Sequence, residues 1–269
     1  GGAGGMTSGA RPGVNVVGYL RSETGVGEAA RAIVRGLRAE GHHVACTAVH
    51  SPDGARQGDA SAGALTNAAP HDLSIVCVNA NQVDVVRREL GPAFFTGRYN
   101  IGVWFWELDT FPAGEPALAV FDELWAASTF VQRALADVAP VPVVHVGLPV
   151  TPPAASAPAH ARLGLAADRP VVLFVFDALS VVARKNPLAV VEAYQRAFAD
   201  DLGRAQLVIK ASRLELFPDD HRALAAAVAA VGGRLIDHYL TRAELGALFH
   251  AATIYISLHR SEGFGLTMA

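Results

Sequence analysis

"PVVLFVFDALSVVARKNPLAVVEAY", residues 170–194, decides the fold. The run "VVLFVF" has no polar break, so a strand built from it is apolar on both faces. A basic loop follows, and Asn186-Pro187 opens a segment with helical spacing, proline being well placed in a first helical turn. A two-faced apolar strand, a loop and a helix form the repeating unit of a parallel sheet covered on both sides.

Working outward, the same alternation starts at Val14. "VNVVGYL" is a strand candidate, and "GEAARAIVRGLRAEG" sets Ala29, Ala30, Ile33, Val34 and Leu37 on one helical face with Gly41 as the stop. "HHVACTAV", "DLSIVCVN", "YNIGVWFW", "ELWAAS" and "VPVVHVGL" are further strand candidates. Residues 149–161, "PVTPPAASAPAHA", lack periodicity and interrupt the pattern. After residues 170–194 come "AQLVIKAS", a helix near 219–231, "RLIDHYL", a helix opened by Thr241 and Glu244 in capping-box spacing, and "TIYISLH".

The expected fold class is α/β, with two Rossmann-like lobes of parallel sheet flanked by helices. A tail spans 1–13, the first lobe 14–148, a linker 149–167 and the second lobe 168–269. The second lobe offers four strand candidates where the full arrangement has about six, so it is expected to be incomplete.

Hydrophobic residues make up 51% of the 269 and charged residues 17%, which describes a foldable globular chain. A net charge of -3 and a pI near 6.4 exclude the basic footprint of a nucleic-acid binder. Cys46 and Cys77 have no metal or C-x-x-C spacing and are expected to be reduced and buried. No apolar run approaches the roughly 20 residues of a membrane span, and the N-terminus lacks a secretory h-region. His42, His43, His71, His145, His221 and His250 show no ligand spacing, and a G-x-S-x-G elbow is missing.

Four clusters could carry chemistry. In "GYLRSETGVGEAAR", Gly25, Gly27 and Ala30 satisfy G-x-G-x-x-A before a helix whose N-terminal amides could face an anion. A dinucleotide site is not expected there, because the second strand lacks a terminal acid for a ribose. In "ARKNP", Arg184 and Lys185 stand just before a helix N-terminus, a placement that suits a bound anion between them. Lys210 ends the next apolar run at the same sheet edge, and His238 and His259 lie at strand ends near it, so all three are candidate donor-binding residues. "WFWELDTFP" joins Trp104, Trp106 and Phe111 to Glu107 and Asp109, which fits either sugar stacking or core packing, with Glu107 the better site candidate. "HRSEGFGL" sets Glu262 before a glycine turn that leads into a first helical turn.

With "GYLRSETGVGEAAR", "WFWELDTFP", "ARKNPLAVVEAY" and "HRSEGFGL" in this order, the chain resembles family 4 glycosyltransferases of the GT-B fold, closest to the bacterial surface-polysaccharide group. The resemblance runs from Val14 to the last residue, and the last two motifs are its most specific part. It implies a cytoplasmic enzyme, associated peripherally with the inner face of the membrane. Such an enzyme moves a sugar from a nucleotide-diphosphate-sugar donor to a glycan or lipid-linked acceptor, with retention, without metal and without a resident cofactor. It further implies that Glu262 contacts the donor sugar and that the amides of Gly263, Phe264, Gly265 and Leu266 hold sugar hydroxyls or phosphate. On the same terms Lys185 neutralises the leaving diphosphate, and Gly25 and Gly27 close over it.

Departures from the family pattern set further expectations. Ser180 stands where many members have an arginine, with Arg184 or Lys210 as the substitute. "FWELD" stands where many present a histidine; Glu262 and Glu107 are the catalytic candidates. Seven residues follow Glu262, and the motif's second, ribose-gripping acid would come next. The chain is accordingly expected to be a truncation without activity of its own. The alternative reading is a non-catalytic nucleotide-sugar-binding or interaction fragment.

Overall fold

The computed structural model describes residues 11–152, 160 and 163–269, which form two compact units divided between Thr151 and Pro152. The first unit is built on six strands: β1 (Val14–Gly18), β2 (Val44–Ala48), β3 (Leu73–Cys77), β4 (Tyr99–Trp104), β5 (Glu123–Ala126) and β6 (Val143–His145). They form one parallel sheet in the order β2-β1-β3-β4-β5-β6. All five residues of β1 are buried, as its two-sided apolar pattern requires. The chain leaves β1 to one side for β2 and returns to the other side for β3. That reversal is a topological switch point, the place where open α/β sheets leave a crevice at their carboxyl edge.

Helices α1 (Gly25–Ala39), α2 (Val83–Leu90) and α3 (Thr129–Ala136) connect these strands. Thr24 caps α1 by accepting a hydrogen bond from the Gly27 amide, and Ser128 caps α3 through the Val131 amide. Cys46 and Cys77 are free and buried. Burial pushes the Cys77 thiol up to about 12.

The second unit has four strands: β7 (Val171–Asp177), β8 (Gln206–Ser212), β9 (Arg234–Ile236) and β10 (Ile254–Tyr255). They are parallel in the order β10-β7-β8-β9, so the switch point here lies between β7 and β10. Four helices accompany them: α4 (Val182–Lys185), α5 (Pro187–Ala197), α6 (Pro218–Ala230) and α7 (Arg242–Ala251). Both faces of β7 are covered. Val172, Phe174 and Phe176 pack with Val190, Val191 and Tyr194 of α5 and with Leu224 and Val228 of α6. Val171 and Leu173, on the opposite face, pack with Ala247 and Leu248 of α7. The capping box expected at Thr241 and Glu244 is formed in both directions.

Two local readings change and a third holds. The strand pattern "VNVVGYL" ends at Gly18, because Leu20 and Ser22 turn back through bonds to the Gly18 and Tyr19 carbonyls. Within the expected linker 149–167, Leu163 and Leu165 are buried in the core of the second unit, and Ala166 exchanges bonds with the Gln206 amide. Those two leucines are an apolar pair that the Pro/Ala composition around them hides; residues 153–159, 161 and 162 of that linker lie outside the described residues, as do residues 1–10 of the tail. After Glu262 the expected helical turn is present as amide bonds from Met268 and Ala269 to the Gly265 carbonyl, 2.8 and 3.2 Å.

Candidate active site

The loops that leave β7 and β10 meet at the switch point of the second unit. The loop after β7 folds back sharply. Val181 has φ 65°, a strained value for a β-branched residue, and starts the one-turn helix α4. Asn186, left-handed at φ 55°, ends that turn and hands the chain to Pro187 at the start of α5. Arg184 and Lys185 therefore sit in the last turn of one helix, which favours cations, immediately before the N-terminus of the next. The sequence showed only the second of these termini.

The segment after β10 is tied to this loop by four bonds. The Arg260 amide donates to the Arg184 carbonyl at 2.9 Å, and Arg260 Nη1 donates to the Ala183 carbonyl at 2.8 Å. Asn186 Nδ2 donates to the Leu258 carbonyl at 3.0 Å, and Arg184 Nη1 donates to the Ser261 carbonyl at 2.9 Å. The result places Glu262 against both cations. Arg184 Nη1 lies 3.1 Å from Glu262 Oε1, and Lys185 Nζ donates to the same oxygen. His259 Nδ1 lies 2.9 Å from that oxygen too.

All four side chains are largely withdrawn from water, at 16%, 11%, 19% and 5% exposure for Arg184, Lys185, Glu262 and His259. Partial burial by itself raises the Glu262 carboxyl. His259 and Lys185 beside it, reinforced by the Arg184 charge, outweigh that effect and hold it at about 2. Glu262 is thus an anion at every physiological pH, seated in a two-cation nest.

Gly263 and Gly265 are buried behind it, and Gly265 has φ 76°. A side chain there would be strained and would meet the Met268 side chain. Phe264 and Leu266 flank them, half-buried.

Lys210 lies at the carboxyl end of β8, where its Nζ donates to the Ala211 carbonyl at 2.5 Å and to Ser212 Oγ at 3.2 Å. Burial pushes its ammonium below the usual lysine range, against the raising influence of Asp177, Asp237 and Glu215. Its neighbourhood includes a bidentate pair that the sequence did not signal, Arg213 on Asp177. No local motif could have shown it, because the two residues come from adjacent strand ends. Of the two substitutes considered for Ser180, the structure brings Arg184, not Lys210, to Glu262. His238 is exposed after β9 and lies outside the cluster.

In the first unit, Gly27 is fixed by packing: a side-chain carbon there would fall 2.4 Å from the Ser22 carbonyl oxygen and 2.7 Å from that of Tyr19. Its amide is committed to Thr24, so it is not one of the amides left over for an anion. Gly25 faces open space. Arg31, unremarked in the sequence, is 3% exposed and holds the loop between β1 and α1 by donating to the Leu20 and Ser22 carbonyls while pairing with Glu28 and Asp59.

The aromatic loop resolves toward packing. Trp104 is buried between Phe111 and Phe121, and Trp106 Nε1 donates to the Thr110 carbonyl with its ring against Phe111. Trp104 and Phe111 are therefore core residues, while Glu107 is half-buried at the carboxyl edge after β4.

Among the described residues, no group of three or more His, Cys, Asp or Glu could hold a metal ion, and no helix is long and apolar enough to cross a membrane.

No protein-family model matches the sequence, and a search of curated proteins finds no match. Solved structures do match. The catalytic domain of starch synthase IV from Arabidopsis thaliana, bound to ADP and acarbose, has a TM-score of 0.63 at 11% identity, covering 96% of this chain and 80% of its own. The trehalose-6-phosphate synthase OtsA has a TM-score of 0.58 at 10% identity, covering 93% and 79%. An E. coli trehalose-6-phosphate structure bound with UDP-2-fluoro glucose gives 0.58 at 11% identity, with the same coverage. The chain shares the GT-B fold of these structures: α/β, with Rossmann-like parallel sheets flanked by helices.

Proposed function

We propose that the chain belongs to a glycosyltransferase that moves a sugar from a nucleotide-diphosphate-sugar donor to a glycan or lipid-linked acceptor. We assign it to the family 4, surface-polysaccharide type. The observation that carries this reading is the convergence of Arg184 and Lys185 on Glu262, from 78 and 77 residues away, at the switch point of a parallel sheet. Two cations beside one acid are what a sugar diphosphate needs, since its diphosphate takes positive charge and its sugar hydroxyls need an acceptor. Solved structures of the same fold carry UDP-2-fluoro glucose in one case and ADP with acarbose in another, which is the same ligand class.

In this mechanism the bond from the anomeric carbon to the diphosphate oxygen breaks, and its electron pair leaves with the diphosphate. Lys185 and Arg184, with the amides of Gly263, Phe264, Gly265 and Leu266, stabilise the negative charge that develops there. The acceptor hydroxyl attacks the same face of the sugar and passes its proton to the departing diphosphate oxygen, so configuration is retained without a protein nucleophile. The cation pair supplies the charge a metal would otherwise bring. Glu262 accepts hydroxyl hydrogen bonds from the donor sugar and orients it. Glu107 is the acid this reading assigns to the acceptor-side lobe, and Gly25 is that lobe's candidate for anion contact. The enzyme works in the cytoplasm at the inner membrane face, where a lipid-linked acceptor would be presented.

The test is a screen of nucleotide-sugars with the purified protein, followed by NMR of the product's anomeric proton. Transfer with the donor's configuration preserved is expected. An inverted product would overturn the retaining mechanism, and no transfer from any donor would overturn the enzymatic reading.

A further inference from the structure

Beyond helping to hold the Glu262 carboxyl low, His259 has no role in the mechanism above. Its ring packs edge-on against Phe174, centroids 5.3 Å apart at 61°. Both ring nitrogens are buried, and neither has a well-aligned hydrogen-bond partner. Nδ1 is only 2.9 Å from Glu262 Oε1, yet it is not aligned with that oxygen as a ring N–H donor should be. Leaving a buried polar atom unsatisfied is costly, so such a ring calls for a state in which it is satisfied.

The competing partners of Glu262 show what that state is. Lys185 and Arg184 draw the carboxylate oxygen toward themselves. A diphosphate carries more negative charge than one carboxylate and offers more acceptor oxygens, so it would take both cations from Glu262. The released carboxylate would then be a poorly hydrated anion without its partners, which is strongly unfavourable. His259 is three residues away and already in van der Waals reach. A side-chain rotation suffices to bring the carboxylate onto Nδ1–H.

We propose that His259 is the positioning residue of this site: it holds Glu262 toward the sugar once a diphosphate has taken Arg184 and Lys185. The proposal rests on the donor-binding reading. It also makes Glu262 an internal competitor of the diphosphate, a role that sugar binding alone does not require.

Calorimetry with inorganic pyrophosphate tests it on four proteins: wild type, Glu262→Gln, His259→Phe and the double variant. Glu262→Gln should bind pyrophosphate more tightly, because the competing carboxylate is gone. His259→Phe keeps the ring packing on Phe174 but removes the donor, and should weaken pyrophosphate by about tenfold in the wild-type background. In the Glu262→Gln background the same change should have no effect, since no released carboxylate remains to be held. His259→Asn, which retains a donor near the Nδ1 position, should restore most of the affinity. Equal losses from His259→Phe in both backgrounds would overturn the positioning role and leave donor binding intact. A wild-type chain that fails to bind pyrophosphate would overturn both.

Discussion

Two glycine-bearing loops leave the carboxyl edges of the two sheets, and they differ in what satisfies their charges. In the first unit, the loop between β1 and α1 closes on itself. Arg31 is saturated by the Leu20 and Ser22 carbonyls and by Glu28 and Asp59, and the Gly27 amide is spent on Thr24. In the second unit, Arg184, Lys185 and His259 crowd one carboxylate oxygen, and the histidine nitrogens go unmatched. A charge fixed by many short-range partners is architecture. Charges that converge on one exchangeable carboxylate form a site.

The largest expected effect falls on the closed loop. Arg31→Met should cost about 3–5 kcal/mol in urea unfolding, because it strips buried carbonyls and acids of their donor, while pyrophosphate affinity of the folded fraction stays unchanged. A loss under about 1 kcal/mol would show that this loop is not held as described.

The exchangeable cluster makes a pH prediction of similar size. The folded-state value of Glu262, about 2, lies below its ordinary 4.5, so its stabilisation is complete above the ordinary value and is lost as pH falls through 2. The shift corresponds to a contribution on the order of 3 kcal/mol. Denaturation between pH 6 and 2 should therefore show a steeper decline for wild type than for Glu262→Gln, and parallel curves would contradict the ion-pair nest.

A smaller contrast lies within one motif. Gly27→Ala meets backbone oxygens and should cost about 1–3 kcal/mol, whereas Gly25→Ala, in open space, should stay within about 0.5 kcal/mol. Equal effects would mean that the two glycines share one role.

These differences also mark how far the sequence could be read. The ten strands among the described residues fall within runs that were apolar without interruption or alternated with helices, because burial on both faces leaves a continuous signal. Glu262 and Lys185 stood out for the same local reason, a charge beside a helix start or glycine turn. The bond network joining them did not, since the Asn186, Arg260 and Ser261 contacts run between segments more than 70 residues apart. Arg31 and the Arg213–Asp177 pair were silent because an arginine on a helix or after a strand looks the same whether solvated or buried. Trp104 and Phe111 fitted two readings in sequence, and only packing separates a ring available for sugar stacking from one enclosed in the core.

The central claim is that Arg184 and Lys185 form a diphosphate nest occupied by Glu262. Calorimetric titration of Lys185→Ala with pyrophosphate, beside wild type, tests it most directly. The account predicts a loss of about ten- to a hundredfold, the worth of a charge-assisted bond in a partly dry site. Unchanged affinity would remove Lys185 from the nest and contradict the account.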